Sequence, residues 1–236
     1  MIRGKHNVQL HLNDLKPDKD LIKRMFKLGV PVSIEQSTRA LGMTVMIFLV
    51  ATFGTQTIAA YGIGGRILSF VIIPAMGLSM ATSTMVGQNV SAKKLHRVNK
   101  IVKLSILAGF FSLTFVGIIV FIFANQISAI FIPGEIETIK SSALFIKIIA
   151  LSFGFIGVQM VIGGALRGTG NTMISMILSI VSLWVLRFPL AYILSMHTGL
   201  AEVGLWLAFP IANVIAALIA LIWFASGTWK QKQIIE

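Results

Sequence analysis

The sequence predicts an all-α membrane protein, a bundle of six transmembrane helices. The chain has 236 residues, 56% of them hydrophobic, and a mean hydropathy of +0.88. That is more apolar surface than a soluble domain of this length buries. Several apolar stretches also reach about 20 residues, the helix length that crosses a hydrocarbon core about 30 Å thick. Lipid is therefore the expected solvent for these segments.

The apolar stretches are separated by short polar breaks, which set the expected spans in order. We predict them at about residues 28–53, 57–82, 102–124, 143–166, 172–195 and 202–226. An even number of spans places both termini on the same side of the membrane.

The polar N-terminal segment, residues 1–27, lacks the apolar core of a secretory signal, so the first span is expected to act as an uncleaved insertion signal. Its stretch 20–28 (DLIKRMFKL) predicts a short amphipathic helix on the inner membrane surface. The apolar face of that helix would hold Leu21, Ile22, Met25 and Phe26, and the basic residues elsewhere are Lys23, Arg24 and Lys27. Residues 28–228 would form the six-helix lobe and residues 229–236 a cytoplasmic tail.

The distribution of the net charge of +12 indicates membrane topology rather than nucleic-acid binding. Fifteen of the 20 basic residues fall on the side of the two termini: Arg3, Lys5, Lys16, Lys19, Lys23, Arg24, Lys27, Lys93, Lys94, Arg97, Lys100, Lys103, Arg167, Lys230 and Lys232. The other side holds Lys140 and Lys147, with Glu135, Glu137 and Glu202 nearby. The positive-inside rule then predicts a multi-pass protein of the inner cell membrane with both termini in the cytoplasm and no nucleic-acid partner.

The segments between and within the spans carry further signals. Residues 125–142 are interrupted by Pro133, Gly134 and charges, so we expect them to cap the outer face as an interfacial turn. The loop 166–172 predicts a tight turn with Asn171 or Thr172 capping the fifth span. Pro74 and Pro189 predict kinks, since each removes a backbone hydrogen bond. Small residues four apart favour close helix packing: Gly77 with Ala81, Ser105 with Gly109, and Ala212, Ala216 and Ala220.

Glu35 is the only carboxylate in the interior of a predicted span, since Glu202 stands at the edge of the last one, and it is the strongest site candidate. Arg39 follows four residues later on the same helix face, so one interpretation is a structural ion pair. The alternative is that Glu35, with Ser33, Gln36 and Thr38, lines a polar cavity and exchanges a proton or a metal ion such as sodium during transport.

Three other polar residues within the spans are expected to have structural roles. Arg66 and Arg187 have long side chains that reach headgroups or pair internally. Gln159 is flanked by Gly154, Gly157, Gly163 and Gly164, which allow a close neighbour, so interhelical hydrogen bonding is favoured over ligand binding. Gln159 remains a cavity-lining candidate beside Glu35, Gln36 and Arg39.

Enzyme chemistry has no support in the sequence. There is no cysteine, no H-E-x-x-H motif, no Walker lysine loop and no aspartate after Asp20. We therefore predict neither catalysis nor a cofactor, and the only ion expected is the transported proton or sodium.

Four segments in order resemble the multidrug and toxic compound extrusion (MATE) family: KLGVPVSIEQ, GTQTIAAYGIGGRILSF, PAMGLSMATSTMVGQNVSAKKLHRV and GGALRGTGNT. They match the second of the two six-helix lobes of that twelve-helix family. The resemblance implies an antiporter that exports cationic or amphipathic drugs and toxins in exchange for protons or sodium by alternating access. Its partners would be the bilayer, small-molecule substrates, and an N-terminal six-helix lobe or a second copy of the chain.

In one branch of the family a glutamate of the seventh helix and an aspartate of the tenth contribute to the cation site. Glu35 resembles the glutamate, but the span that contains Gln159 has no aspartate. A two-carboxylate sodium site is therefore not expected here.

Two alternatives stay open at this point. One is a flippase for lipid-linked saccharides, whose cavities tend to be more cationic, whereas this sequence predicts a nearly neutral one. The other is a non-transporting membrane scaffold in which the Glu35 and Arg39 pair is purely structural.

Overall fold

A computed structural model of the chain describes residues 17–230. Predictions that concern residues 1–16 and 231–236, including the positions of Arg3, Lys5, Lys16 and Lys232, lie outside the described residues. The surface location of the N-terminal segment and of the C-terminal tail thus stays a prediction.

The described chain is built from helices. In chain order they are α1 (Lys19–Ala51), α2 (Thr55–Ser91), α3 (Leu95–Ile122), α4 (Ala124–Phe131), α5 (Ile136–Ala150), α6 (Phe153–Gly168), α7 (Thr172–Ile180), a π-helical segment (Val181–Arg187), α8 (Phe188–Met196) and α9 (Ala201–Ala225). A short 3-10 turn, Thr228–Lys230, follows.

The helices fall where the six spans were predicted. Within residues 17–230, four stretches are long and apolar enough to cross a membrane: Thr55–Ser91, Leu95–Ile122, Thr172–Met196 and Ala201–Ala225. The pair α5 and α6 passes the same test together as a fifth. Helix α1, 33 residues long, covers the first predicted span, is not among the stretches that pass this test, and carries Glu35, Gln36 and Arg39 in its middle.

Helix α1 joins two segments that the sequence separated. Asp18 starts it by accepting hydrogen bonds from the backbone N–H groups of Asp20 at 2.9 Å and Leu21 at 3.1 Å. The helix then continues to Ala51 without a break. The amphipathic stretch 20–28 is therefore the first part of a long helix rather than a separate short one.

The fourth span is bent, which the sequence did not predict. Residues 125–142, expected as an interfacial turn, instead form most of α4 and the start of α5. Helices α5 and α6 meet at 51° around Leu151 and Ser152. At the bend the Ile149 carbonyl accepts from both the Ser152 N–H at 2.9 Å and the Ser152 hydroxyl at 2.8 Å.

Proline affects the two predicted kinks differently. Helix α2 runs through Pro74 without interruption, so no helix break occurs there. Before Pro189, residues Val181–Arg187 are π-helical, and the Phe188 N–H donates to the Leu183 carbonyl, five residues back. A proline ring clashes with the carbonyl four residues before it, and the wider turn relieves that clash. The irregularity at Pro189 is thus a change of helix type.

Glycines set how closely α6 approaches its neighbours. A Cβ at Gly164 would collide with the Ser79 carbonyl of α2, and one at Gly157 would lie 2.5 Å from the Gly109 carbonyl of α3. These contacts confirm the close packing predicted for the glycines around Gln159 and for Gly109. Gly77 is exposed with no atom near a built Cβ, so it does not pack within the described part of this lobe.

The end of the bundle opposite the α2–α3 turn is held by a carboxylate and an aromatic core. The Thr57 hydroxyl donates to Glu202 Oε2 at 2.9 Å, which joins the starts of α2 and α9. Below it, Phe145 and Trp206 stack with ring centroids 4.1 Å apart, and both are fully buried. Phe145 and Trp206 lie outside the cavity that polar residues of α1, α2, α6 and α7 line.

Candidate functional site

A cavity of about 620 Å³ opens between α1, α2, α6, α7 and the π-helical segment. Its wall combines polar and charged side chains with flexible apolar ones. The lining residues are Val32, Glu35, Gln36, Arg39, Met43, Ile72, Met76, Ser79, Met80, Ser83, Thr84, Ile156, Gln159, Met160, Arg167, Ser179, Ser182, Leu183 and Arg187. All four candidate residues, Glu35, Gln36, Arg39 and Gln159, lie on this one cavity.

Helical periodicity decides which residues of α1 face the cavity. Glu35, Gln36, Arg39 and the flanking Val32 and Met43 share one face at spacings of three and four residues. Ser33 and Thr38, also expected to line it, are outside the lining, and Ser33 is exposed. That part of the prediction is wrong because those two positions point away from the Glu35 face.

Glu35 is almost completely buried, with 3% of its surface exposed. Arg39 donates to its Oε1 at 3.0 Å, which is the ion pair expected from their spacing. From α7, Ser179 donates to Oε1 and Ser175 to Oε2, both at 3.0 Å. A buried carboxylate needs such partners, since an uncompensated charge would be costly.

Arg167 supplies the second cation of this cluster. It was counted as a loop charge at the cytoplasmic side, but it lies in the last turn of α6, and its Nη1 is 3.4 Å from both Glu35 oxygens. Its side chain is 26% exposed. Nη2 donates to Ser79 of α2 at 2.9 Å. Nη1 also donates to Ser175 of α7, so Arg167 connects α1, α2, α6 and α7 and is not a loop residue.

The serines of the cluster were missed by the sequence analysis. Ser79 donates in turn to the Met160 carbonyl at 2.6 Å. Ser179 accepts a hydrogen bond from Arg39 at 2.9 Å, and Ser175 accepts one from Arg167 at 3.2 Å. Ser175 and Ser179 are four residues apart in an otherwise apolar helix, and that spacing was a usable signal for one polar face on α7.

A second polar cluster lies at the bend of α5 and α6. Asn213 of α9 donates to Ser152 at 3.0 Å, and its Oδ1 accepts from Arg187 at 2.7 Å. Gln159 donates to the Asn213 carbonyl at 2.9 Å and accepts from Ser182 at 3.3 Å. Gln159 thus makes the expected interhelical hydrogen bonds and also faces the cavity. Arg187 stacks over the Phe209 ring, 4.9 Å from its centroid.

The loop after α6 differs from its prediction in detail. Asn171 stands at the N-cap position of α7, but its side chain makes no cap hydrogen bond, and neither does that of Thr172. The Asn171 amide donates instead to the Thr169 hydroxyl at 3.0 Å and to the Trp229 carbonyl at 3.4 Å. This residue therefore fastens the turn to the end of the described chain. Arg66, also expected to be structural, lies over the Phe131 ring at 5.7 Å.

The charge of the cavity is positive. Three arginines and one glutamate among the described residues line it, which gives a net charge of +2. The expectation of a nearly neutral cavity is wrong, because two arginines expected elsewhere line it. Arg167 was expected in a cytoplasmic loop, and Arg187 was expected to reach headgroups or to pair internally. Two of the buried guanidinium nitrogens, Nε of Arg39 and Nε of Arg187, have no hydrogen-bond partner among the described residues.

The cluster lacks the ligands of a preformed metal site. Within the described part of the chain, no group of three or more His, Cys, Asp or Glu side chains is placed to hold a metal ion. Glu35 brings carboxylate and hydroxyl oxygens together, but two guanidinium groups lie within 3.4 Å of the same carboxylate. Glu35 as a sodium ligand stays a prediction.

Known proteins are similar to this chain over most of its length. The family model MatE matches residues 31–193. The probable multidrug resistance protein NorM of Thermotoga maritima is 30% identical over 236 residues, all of this chain and 50% of that protein. The probable multidrug resistance protein YoeA of Bacillus subtilis is 29% identical over 220 residues, 93% of this chain and 47% of that protein.

Solved structures agree on the fold. A MATE crystallised in complex with MaL6 superposes with a TM-score of 0.91 at 21% identity, over 98% of this chain and 52% of that one. The chain thus spans about half the length of these relatives, which is the extent of one lobe. The chain belongs to the MatE family of multidrug and toxic compound extrusion transporters and has the fold of one six-helix lobe.

Proposed function

We propose that the chain is the C-terminal lobe of a secondary active antiporter that exports amphipathic drugs and toxins in exchange for protons or sodium by alternating access. The observation that carries this proposal is the position of Glu35. It is 3% exposed, lies on the cavity wall, and bonds to side chains of α6 and α7 as well as to its own helix. A charge change at this one residue therefore acts on three helices.

The ionised form of Glu35 holds these helices together. Arg39 and Arg167 compensate its charge, and Ser175 and Ser179 fill its remaining acceptor sites. A proton that binds to Oε1 or Oε2 removes the charge and weakens both ion pairs. Helices α1, α6 and α7 are then freer to move, and release of the proton on the other side of the membrane restores the first arrangement.

The surroundings of Glu35 favour a proton over sodium as its partner. A sodium ion would have to displace guanidinium groups that lie 3.0 and 3.4 Å from Oε1, because it needs several oxygen ligands. A proton binds to a single carboxylate oxygen and needs no set of oxygen ligands. The proposed coupling ion is therefore the proton.

We place the lobe in the inner cell membrane with both termini in the cytoplasm, on the basis of the basic residues near the α2–α3 turn. The cavity is open to a partner, an N-terminal six-helix lobe or a second copy of the chain. The apolar part of its wall, including Met43, Met76, Met80 and Met160, suits varied amphipathic molecules, since methionine side chains adapt their shape.

The cavity argues against the scaffold hypothesis and supports the flippase hypothesis. A scaffold has no use for a cavity of about 620 Å³ lined by an internal carboxylate and three arginines. The flippase hypothesis gains support, since flippase cavities are expected to be more cationic and this cavity has a net charge of +2. The two transport hypotheses share the cavity and differ in the size of the cargo.

The test is a substitution of Glu35 in the complete gene. Glu35→Gln should abolish resistance to amphipathic toxins in cells that lack their own exporters, while protein in the membrane fraction stays at the wild-type amount. Glu137→Gln is the matched control, because Glu137 forms an exposed pair with Lys140 at 3.0 Å. Resistance that survives in Glu35→Gln would remove Glu35 from the mechanism.

A further inference from the structure

We propose that the cavity binds the anionic head of an amphipathic substrate, a carboxylate, phosphate or sulfonate, at the guanidinium groups of Arg187 and Arg39. The inference rests on the proposed transport function and names its substrate class. It replaces the cationic substrates that the family resemblance implied for this lobe.

Arg187 has no counterion within the described chain. Among residues 17–230 no carboxylate forms an ion pair with it, and its polar partner is the neutral amide of Asn213 at 2.7 Å. It lies in the π-helical segment within the predicted fifth span, where a cation is costly. A cation that is retained there without a compensating charge points to an anion that arrives from outside the lobe.

The two arginines named in the proposal also carry unmet donors. Nε of Arg187 and Nε of Arg39 are buried without a hydrogen-bond partner in the part of the chain that the structure describes, and both arginines line the cavity. Buried donors are nearly always satisfied in folded proteins, so two of them on one cavity require an explanation. Guanidinium groups pair with carboxylate and phosphate through two parallel N–H bonds, which an anionic head would complete.

The single acid of the cavity cannot serve a cationic substrate in this state. Both oxygens of Glu35 are already occupied by Arg39, Arg167, Ser175 and Ser179. No other aspartate or glutamate of the described chain lines the space. A cation would therefore meet a wall with a net charge of +2 and no free carboxylate, whereas an anion would meet Arg187, which has no counterion among the described residues.

Apolar side chains of the cavity wall would contact the apolar body of the ligand. Met43, Met76, Met80 and Leu183 line the same cavity, and its volume of about 620 Å³ lies within the range of pockets that bind drug-sized molecules. The ligand class is thus an acid with an apolar body. A free acid and an anionic lipid present the same chemistry to the arginines.

The experiment uses two probes with one apolar body and opposite charges, pyrenebutyrate and pyrenebutylammonium. The whole chain is placed in phosphatidylcholine nanodiscs, and energy transfer from tryptophan to pyrene reports binding, since Trp184 belongs to the π-helical segment. Pyrenebutyrate should bind roughly tenfold or more tightly than the ammonium probe, and Arg187→Gln should weaken it by about the same factor. Equal or tighter binding of the ammonium probe would overturn the proposal.

Controls separate charge from folding and lipid from free acid. Arg66→Gln removes an exposed arginine outside the cavity and should leave pyrenebutyrate binding unchanged. If Arg187→Gln does not fold, Arg187→Lys keeps the charge and should still prefer the acid probe, and loss of that preference would count against the site.

Phosphatidylglycerol in the nanodiscs should compete if the natural head belongs to a lipid, and absence of competition assigns it to a free acid. The Glu35→Gln resistance assay is independent, so either hypothesis can fail alone.

Discussion

Glu35 and Arg167 are 132 residues apart in the sequence, yet Arg167 Nη1 lies 3.4 Å from both carboxylate oxygens of Glu35. The pair joins the middle of α1 to the last turn of α6. Arg167 also donates to Ser79 on α2 and to Ser175 on α7, so four helices meet at one guanidinium group. The stability of the lobe and the proposed coupling consequently depend on the same contact.

Loss of the Arg167 charge should destabilise the lobe through Glu35. Arg167→Met leaves a buried carboxylate with one cation instead of two, and we expect a cost of about 1–3 kcal/mol because Arg167 is partly exposed. Thermal unfolding in detergent measures it. In the Glu35→Gln background the same substitution should cost clearly less, and additive effects in the double mutant would show that the two residues do not interact.

Gly164→Ala should disturb the cluster without changing its charges. A Cβ at this position meets the carbonyl and hydroxyl oxygens of Ser79, so α2 and α6 must separate and the Ser79 to Arg167 hydrogen bond must lengthen. We expect a loss of about 1–3 kcal/mol from overpacking, measured as a lower melting temperature. Gly62→Ala on α2 is the control, since nothing in the described chain lies within 4 Å of its Cβ. Equal melting of the two variants would contradict the packing argument.

Asn213→Leu should destabilise the bend between α5 and α6. The substitution keeps the side-chain size but removes the acceptor of Arg187 and the donor to Ser152. Because one of the lost bonds involves a charged group, we expect a cost of about 2–4 kcal/mol. Asn89→Ala is the comparison: the Asn89 amide donates within its own helix, to the Met85 carbonyl, and its loss should cost little. A melting temperature for Asn213→Leu near that of Asn89→Ala would argue against this role.

Pro189→Ala should convert the π-helical segment toward an α-helix. Alanine supplies at position 189 a backbone N–H that can donate to the carbonyl four residues back, as in an α-helix, and Leu183 and Arg187 should then rotate relative to the cavity. The sequence contains no cysteine, so Leu183→Cys gives a single reporter. Its rate of alkylation by a water-soluble maleimide should differ between the chain that keeps Pro189 and the chain that also carries Pro189→Ala. The same rate in both would mean that another contact sets the π-helix.

The local parts of the fold and site could be predicted from the sequence. Hydropathy and length placed helices at all six predicted spans, five of which are long and apolar enough to cross a membrane when α5 and α6 are taken together. The spacing of Glu35 and Arg39 identified an ion pair within one helix. The bend at Ser152 could not be predicted, since the side chain that hydrogen-bonds to Ser152 there is Asn213 of α9, 61 residues away. Arg167 was misplaced for a similar reason: beside a glycine-rich turn it has the pattern of a loop residue, and only the approach of α1 to α6 shows its partner.

The most direct measurement of the central claim follows protons in inverted membrane vesicles. Respiration acidifies the vesicle interior, and a pH-sensitive dye reports proton escape when an amphipathic substrate is added. We predict escape with the wild-type protein and with Glu137→Gln, and none with Glu35→Gln at the same amount of inserted protein. Proton escape of equal size in Glu35→Gln would contradict the assignment of coupling to this residue.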